Sequence, residues 1–99
     1  TLASHQHNRL RVLFVDDERS LQEFMRTELP RLGHEVTVCP DGATALQVIA
    51  GQSFDAAILD VRMPGISGID VLQRLKAVSP DTEAVMMTGY ASEDSMVQA

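Results

Sequence analysis

Residues 11–17 read RVLFVDD, a β-branched and aromatic run that passes directly into two acids. A continuous apolar run of this length is typical of a strand buried on both faces in a parallel sheet, because helices cover such a sheet on either side. A second run of this kind, AAILD at residues 56–60, also ends in an acid. The two stretches therefore predict buried parallel strands with carboxylates at their carboxyl ends.

Two further strands and four helices are predicted around these runs. Residues 35–39 alternate in polarity and residues 83–88 have an apolar centre, so both stretches predict strands. Apolar residues recur at helical spacing in four places. They are Leu21, Phe24, Met25, Leu29 and Leu32 in the first helix, Leu46 and Ile49 in the second, Val71, Leu72, Leu75 and Val78 in the third, and Met96 and Val97 in the fourth.

Several residues mark where these helices begin and end. Gly33 is placed for a left-handed cap after the first helix, and Pro30 predicts a kinked or short final turn. The sequence Pro-Asp-Gly at 40–42 predicts a turn after the second strand. Ser92 is placed to cap the fourth helix, which would begin at Glu93.

The alternation of strands and helices predicts an α/β fold. Right-handed crossovers between parallel strands place helices on both faces of one sheet. Ligands of open sheets of this kind bind beyond the carboxyl ends of the strands, where the strand order reverses. A strand order of 2-1-3-4 would gather Asp16, Asp17 and Asp60 around one such crevice, with Thr88 beside them.

Composition and charge exclude several classes of protein. Eight Lys and Arg against 14 Asp and Glu give a formal net charge of -6, which argues against direct nucleic-acid binding by this segment. The single cysteine, Cys39, cannot form an internal disulfide and is expected to be a buried thiol. Because the chain has no apolar run long enough for a bilayer and no signal-peptide pattern, we expect a cytoplasmic protein without a membrane anchor.

Three carboxylates in one crevice call for a cation. Like charges a few ångströms apart repel by several kcal/mol at an effective dielectric constant of about 20. Oxygen ligands with room for water suit Mg²⁺, which shares its remaining positions with phosphate. Phosphoryl transfer uses such an ion, and a carboxylate can be the nucleophile. The three acids therefore predict a Mg²⁺-dependent phosphoryl-transfer site.

Each of these residues also has a structural interpretation when it is taken alone. Asp16 or Asp17 can be a helix N-cap, and Asp60 can be a turn residue. Thr88 can be a β-branched strand end. Their joint placement at three strand ends favours the functional interpretation.

Three motifs, in order and spacing, resemble the receiver domains of bacterial two-component response regulators. They are VLFVDDE at residues 12–18, ILDVRMPG at residues 58–65 and MTGY at residues 87–90. The Met-Pro-Gly that follows the strand-ending Asp60 is the most specific of these signals. The continuation from Met-Thr-Gly-Tyr into Ala-Ser further resembles receivers joined to ATPase-type transcriptional activators.

The resemblance implies a fold and a role for each site residue. The fold is flavodoxin-like, a doubly wound parallel sheet in the order 2-1-3-4-5. Asp60 would accept the phosphoryl group from a phosphohistidine. Asp17 and Asp60 would ligate Mg²⁺ directly, Asp16 would assist, often through water, and the backbone carbonyl of Arg62 would be the third protein ligand.

Two further roles concern switching and rate. Thr88 resembles the switch hydroxyl that moves towards the phosphoryl oxygens. The side chains of Arg62 and Tyr90 occupy positions that tune the rates of phosphorylation and dephosphorylation in the family. Mg²⁺ is the only cofactor that the resemblance implies.

The chain departs from the family at its C-terminal end. The family's fifth strand, the lysine at the end of that strand, the aromatic switch residue two positions before it and the fifth helix are absent, and the only lysine, Lys76, lies on the third predicted helix. We therefore expect residues 1–9 to be a flexible lead-in and residues 10–99 to be a C-terminally incomplete receiver domain. The isolated piece would expose an apolar edge strand and sheet face, and would be unstable or associate.

The main hypothesis is a phosphorelay switch and not a turnover enzyme. A sensor histidine kinase or phosphotransfer protein would donate a phosphoryl group to Asp60. The added charge would rearrange Thr88 and the fourth helix, and so change an output surface or an output domain beyond residue 99. The hypothesis is compatible with a homodimer as well as with a monomer.

Two rival hypotheses also stay open. A pseudo-receiver would bind partners without being phosphorylated, and its acids would then have no role. A phosphatase of the haloacid dehalogenase type also uses an aspartate nucleophile and Mg²⁺. It would require a second aspartate two residues after Asp60, where this chain has Arg62.

Overall fold

A computed structural model describes residues 9–87 of the chain. Within this range strands and helices alternate, as predicted. The elements are β1 (Arg11–Val15), α1 (Arg19–Arg31), β2 (Glu35–Cys39), α2 (Gly42–Gly51), β3 (Ala56–Asp60), α3 (Gly68–Val78) and β4 (Glu83–Met87). The predicted fourth helix, which would begin at Glu93 with Ser92 as its cap, lies outside the described residues, as do residues 1–8 of the predicted lead-in.

The four strands form one parallel sheet in the order β2-β1-β3-β4. This order confirms the prediction of a doubly wound, flavodoxin-like α/β sheet. The strand order reverses between β1 and β3, which pair in register with Val15 opposite Leu59. The carboxyl ends of these two strands are therefore neighbours, and this is the place where open α/β sheets bind ligands.

A continuous apolar core lies between the sheet and the helices α2 and α3. The strands contribute Leu13, Val15 and Leu59, and all three are fully buried. Cys39 belongs to the same cluster, which confirms that it is a buried thiol. Burial of one large apolar side chain is worth about 1.5–3 kcal/mol, so this core holds the strand ends in place.

The first helix ends as the sequence predicts. Gly33 has a φ of 91°, a left-handed conformation that glycine adopts without steric cost. The N–H of Gly33 donates to the carbonyl of Pro30 at 3.0 Å, and the N–H of His34 donates to the carbonyl of Leu29 at 2.9 Å. These two bonds form a Schellman motif. The helix itself continues through Pro30 and ends one residue later, at Arg31.

The N-cap of α1 is Glu18, so the structural alternative in which Asp16 or Asp17 caps a helix is excluded. The turn predicted at residues 40–42 is confined to Pro40 and Asp41, because Gly42 is already the first residue of α2. Asp41 caps that helix, because its Oδ1 accepts a hydrogen bond from the N–H of Thr44 at 2.7 Å.

Helical spacing predicts the helices better than it predicts which side chains they bury. Some apolar residues of these patterns are exposed, namely Phe24 and Leu32 of the first pattern and Val78 of the third. The buried residue of α1 is polar Gln22. On β4, at the edge of the described sheet, Val85 is also exposed.

Across residues 9–87, no helix has both the length and the apolar character that a membrane crossing requires.

Candidate metal centre

Three carboxylates converge at the carboxyl ends of β1 and β3. One carboxylate oxygen from each of Asp16, Asp17 and Asp60 lies within 4.8 Å of the other two. Asp16 and Asp17 directly follow β1, and Asp60 is the last residue of β3. The pairing of the two strands therefore confirms the predicted convergence of these acids.

Burial makes this cluster electrostatically unfavourable. Asp16 is 4% exposed and Asp60 is 8% exposed, whereas Asp17 faces solvent. Loss of hydration raises the pKa of Asp16 and of Asp60 above the ordinary aspartate value. Repulsion from neighbouring acids raises both pKa values further, and a backbone hydrogen bond to each carboxylate partly opposes the rise. A cation between the three groups would remove the repulsion.

The two buried acids, Asp16 and Asp60, are oriented by the same kind of local hydrogen bond. The N–H of Glu18 donates to Oδ1 of Asp16 at 2.8 Å, and the N–H of Arg62 donates to Oδ1 of Asp60 at 3.1 Å. In each case the carboxylate accepts a bond from the residue two positions ahead, which is the Asx-turn pattern. Each bond restrains one carboxylate oxygen relative to the loop that follows the strand.

The start of α3 approaches the backbone of Asp60 closely. A Cβ added at Gly68 would lie 2.7 Å from the carbonyl carbon of Asp60 and still closer to its carbonyl oxygen. Nearby, a Cβ added at Gly42, the start of α2, would lie 2.5 Å from the carbonyl oxygen of Ile66. The loop between β3 and α3 is therefore packed against two glycines that leave no room for a side chain.

The donor set fits a hard divalent cation. Its members are all carboxylate oxygens, the ligands that Mg²⁺ prefers, and within residues 9–87 no histidine or cysteine joins them. Burial raises the pKa of the Cys39 thiol to about 11, with a further rise from Asp41, so a thiolate ligand is disfavoured. The residues present thus suit Mg²⁺ better than a metal that requires nitrogen or sulfur ligands.

The remaining predicted site residues are only partly described. Arg62 lies directly after Asp60 and Val61, with its backbone N–H on the Asp60 carboxylate. The role of its carbonyl as a metal ligand stays a prediction, as does the role of its side chain in tuning rates. Thr88 and Tyr90 lie outside the described residues.

Two residues near the site were missed from the sequence. Gln22 carries a buried side-chain amide that donates to the backbone carbonyl of Asp16 at 2.8 Å. Its only signal in the sequence is a polar residue inside the apolar pattern of the first helix. Gly68 follows the Met-Pro-Gly motif by three residues, and nothing in the spacing indicates how closely α3 approaches Asp60.

Comparison with known proteins identifies the family. The family model for the response regulator receiver domain matches residues 12–99. Response regulator MprA of Mycobacterium sp. (strain KMS) is 35% identical over 88 residues, which are 89% of this chain and 38% of MprA. The chain thus spans less than half the length of this relative.

Solved structures show the same fold. The response regulator TrrA of Thermotoga maritima, in complex with Mg²⁺-BeF, superimposes with a TM-score of 0.75 at 34% identity, over 86% of this chain and 74% of TrrA. A structure of the histidine kinase ThkA in complex with TrrA gives a TM-score of 0.73 at 35% identity, over 81% of this chain and 69% of the matched chain.

Proposed function

This chain belongs to the response regulator receiver domain family, and from that membership we propose that it is a phosphoacceptor switch. Asp60 receives the phosphoryl group from the phosphohistidine of a histidine kinase or phosphotransfer protein. The observation that carries the proposal is the convergence of the Asp16, Asp17 and Asp60 carboxylates within 4.8 Å at the carboxyl ends of paired strands. Of the three, Asp60 alone is the last residue of a strand and is followed by the Met-Pro-Gly signature.

The nucleophile in this proposal is Oδ2 of Asp60. Its companion Oδ1 accepts the hydrogen bond from the N–H of Arg62, which fixes the plane of the carboxylate. A lone pair on Oδ2 forms the new O–P bond while the P–N bond to the donor imidazole breaks. The electron pair of the broken bond stays on the imidazole nitrogen, which then takes up a proton.

Asp16, Asp17, Asp60 and the backbone carbonyl of Arg62 would hold Mg²⁺. The bound ion would offset the negative charge on the carboxylates and on the transferring phosphoryl oxygens. The partial burial of Asp16 and Asp60 strengthens such interactions, because water screens them less than on the surface. The acids by themselves would repel an incoming phosphoryl group, so the proposal requires the ion.

The switching part of the proposal concerns the end of β4. Met87, its last residue, is paired with Asp60, and the carbonyl of Met87 accepts a hydrogen bond from the N–H of Val61 at 2.8 Å. Thr88 follows Met87 directly in the sequence, and we propose its hydroxyl as the ligand that reports the phosphoryl group. Arg62 and Tyr90 would tune the rates.

The domain would act on itself and on partners, not as a turnover enzyme. Phosphorylation would change an output surface or an output domain, and the greater length of the MprA relative supports an output domain elsewhere in the natural protein. The complex of ThkA with TrrA supports a histidine kinase as the donor. Cytoplasmic location and the absence of direct nucleic-acid binding stay predictions.

Acetyl phosphate provides the direct test. A complete form of this domain, incubated with acetyl phosphate and MgCl₂, should gain one phosphoryl group, and peptide mass spectrometry after reductive trapping should locate it at Asp60. Asp60→Asn should abolish the adduct, and Asp41→Asn, which alters an exposed helix cap, should not. An adduct at another residue, or one that persists in Asp60→Asn, would refute the assignment. A chain that binds Mg²⁺ but is never phosphorylated would favour the pseudo-receiver.

A further inference from the structure

The most buried side chain of α1 is polar. Gln22 is 9% exposed, whereas Leu21, Met25 and Leu29 of the same helix are only half-buried. Burial of a side-chain amide without a hydrogen-bond partner costs roughly 1–3 kcal/mol, so this position requires a partner. The Nε2 of Gln22 donates to the backbone carbonyl oxygen of Asp16 at 2.8 Å.

This bond restrains the peptide that joins two acids of the cluster. The carbonyl of Asp16 and the N–H of Asp17 belong to one planar unit, so a fixed carbonyl oxygen sets the direction in which Asp17 leaves the strand. Two other bonds hold Asp16. Its N–H donates to the carbonyl of Cys39 at 3.1 Å, and its Oδ1 accepts from the N–H of Glu18 at 2.8 Å. Of the three bonds, the one from Gln22 is donated by a side chain, so a substitution can remove it without altering the backbone.

The cluster needs such a restraint because its members repel one another. The ligand oxygens of Asp16, Asp17 and Asp60 lie within 4.8 Å of each other. Two unit charges at about 5 Å repel by roughly 3 kcal/mol at an effective dielectric constant of 20. Rotation of the peptide between Asp16 and Asp17 would relieve that repulsion, and it would also separate the oxygens that a cation requires together.

We propose that Gln22 is a positioning residue of the metal site, whose amide holds the Asp16 carbonyl so that the Asp16 and Asp17 carboxylates stay directed towards Asp60. The inference rests on the proposed function, because that function requires a cation at this cluster. Gln22 contacts neither the ion nor the phosphoryl group. It acts through the backbone of Asp16, in the way that residues behind a metal site orient the ligands.

Gln22→Met in the full chain removes the donor and keeps the length of the side chain. We expect the dissociation constant for Mg²⁺, measured by fluorescence or NMR titration with MgCl₂, to rise about tenfold, which is the lower end of the usual range for residues that orient metal ligands. Gln52→Met is the matched control. The Nε2 of Gln52 donates to Oγ1 of Thr37 at 3.4 Å on the surface, away from the acids, so this variant should bind Mg²⁺ like the wild type.

A second measurement uses the wild-type chain and does not depend on the folding of a variant. The side-chain amide signals of Gln22 in ¹H–¹⁵N spectra should shift when Mg²⁺ saturates the site, because the carbonyl that accepts their hydrogen bond belongs to the same residue as a ligand. The side-chain amide signals of Gln52 should stay in place.

The outcomes separate the inference from the proposed function. Wild-type affinity for Mg²⁺ in Gln22→Met, or Gln22 signals that do not respond to Mg²⁺, would show that Gln22 only stabilises the fold. Either result overturns the inference and leaves Asp60 as the phosphoacceptor. Failure of the wild-type chain itself to bind Mg²⁺ would overturn the proposed function, and the inference with it.

Discussion

Strand β3 has an aspartate at each end, and the two ends of the sheet treat these carboxylates in opposite ways. Asp55, just before β3, accepts a hydrogen bond from the backbone N–H of Arg11 at 2.8 Å and pairs with the Arg11 guanidinium at 3.5 Å. These contacts lower the pKa of Asp55, and the backbone hydrogen bond from Arg11 has the largest effect. Asp60, at the other end, has acids as its charged neighbours, and burial and repulsion raise its pKa.

At the amino end of the sheet, polar groups near Asp55 form hydrogen bonds with one another. The hydroxyl of Thr82 is buried and donates to the carbonyl of Phe54 at 2.7 Å, and it also shares a hydrogen bond with Ser79. The N–H of Glu83 donates to the carbonyl of Asp55 at 3.1 Å. The contrast separates two environments for an acid in this fold. Asp55 has its cation within the chain, whereas under the proposed function Asp60 would share a cation taken from solution.

The largest effect should come from a side chain forced in where α3 packs tightly against the backbone of Asp60. Gly68→Ala would place a methyl group against the Asp60 carbonyl, so we expect a loss of about 3 kcal/mol in the free energy of unfolding and slower phosphorylation by acetyl phosphate. Gly51→Ala is the control, because a Cβ there meets nothing within 4 Å in helix α2. Chemical denaturation measures both variants. Equal stabilities would contradict the close approach of α3 to Asp60.

The next effect belongs to the amino end. Thr82→Val keeps the shape of the side chain but leaves the Phe54 carbonyl without its hydroxyl donor, so we expect a destabilisation of about 1–3 kcal/mol. Phosphorylation at Asp60 should proceed at the wild-type rate in the folded variant. Thr37→Val, which loses only a long surface contact to Gln52, should be nearly neutral. A slower phosphorylation rate in Thr82→Val would show that the two ends of the sheet are coupled.

Metal affinity should distinguish acids of the cluster from acids outside it. Asp17→Ala should weaken Mg²⁺ binding about tenfold, or roughly 1.4 kcal/mol, because a ligand oxygen is lost. Asp41→Ala removes an acid that accepts the N–H of Thr44 and caps α2, so it should leave the affinity unchanged. Both are measured by titration with MgCl₂. Equal losses in the two variants would mean that net charge, and not this site, binds the ion.

Most of the fold was predictable because its signals are local. The apolar run that ends at Val15 and the one that ends at Asp60 predicted buried parallel strands, and the structure pairs them. The strand order 2-1-3-4 was implied by the resemblance to the receiver family and not by the local pattern, and the sheet confirms it. The convergence of the acids followed from that order, because the carboxyl ends of neighbouring parallel strands lie side by side.

What the sequence did not predict depends on tertiary contacts. Helical spacing does not distinguish a buried polar side chain such as Gln22 from an exposed apolar one such as Phe24, because the partner that satisfies Gln22 is a backbone carbonyl. The closeness of Gly68 to Asp60 depends on how α3 packs, which spacing does not record. The role of Asp41 as a helix cap was hidden in the same way, since a Pro-Asp-Gly turn and an Asp N-cap share one sequence.

Neutralising the aspartate at either end of β3 should change the stability of the fold by a smaller amount, and with opposite sign at the two ends. At pH 7 without Mg²⁺, Asp60→Asn should stabilise the fold by on the order of 1 kcal/mol, because it removes a buried charge that repels its neighbours. Asp55→Asn should destabilise the fold, because Asp55 loses its ion pair with Arg11. Thermal unfolding in EDTA measures both changes.

The pH dependence follows from the direction of each pKa shift. For Asp60, whose folded pKa is raised, the folded state loses stability as the pH rises through the window between the ordinary value and the raised one. For Asp55, whose folded pKa is lowered, the stabilising contribution is complete above the ordinary value and is lost as the pH falls through the lowered one. Substitutions that change stability in the same direction at neutral pH would contradict the contrast between the two ends.

The most direct test of the central claim is an NMR titration of the Asp55 and Asp60 carboxyl carbons, with and without Mg²⁺. We predict that Asp60 titrates above the ordinary aspartate value and Asp55 below it, and that Mg²⁺ lowers the apparent pKa of Asp60 while Asp55 does not move. Because Asp60 is coupled to the other acids of the cluster, its curve reports their shared titration. If the two carboxylates titrate alike and neither responds to Mg²⁺, the cluster is not a cation site and Asp60 is not poised to accept a phosphoryl group.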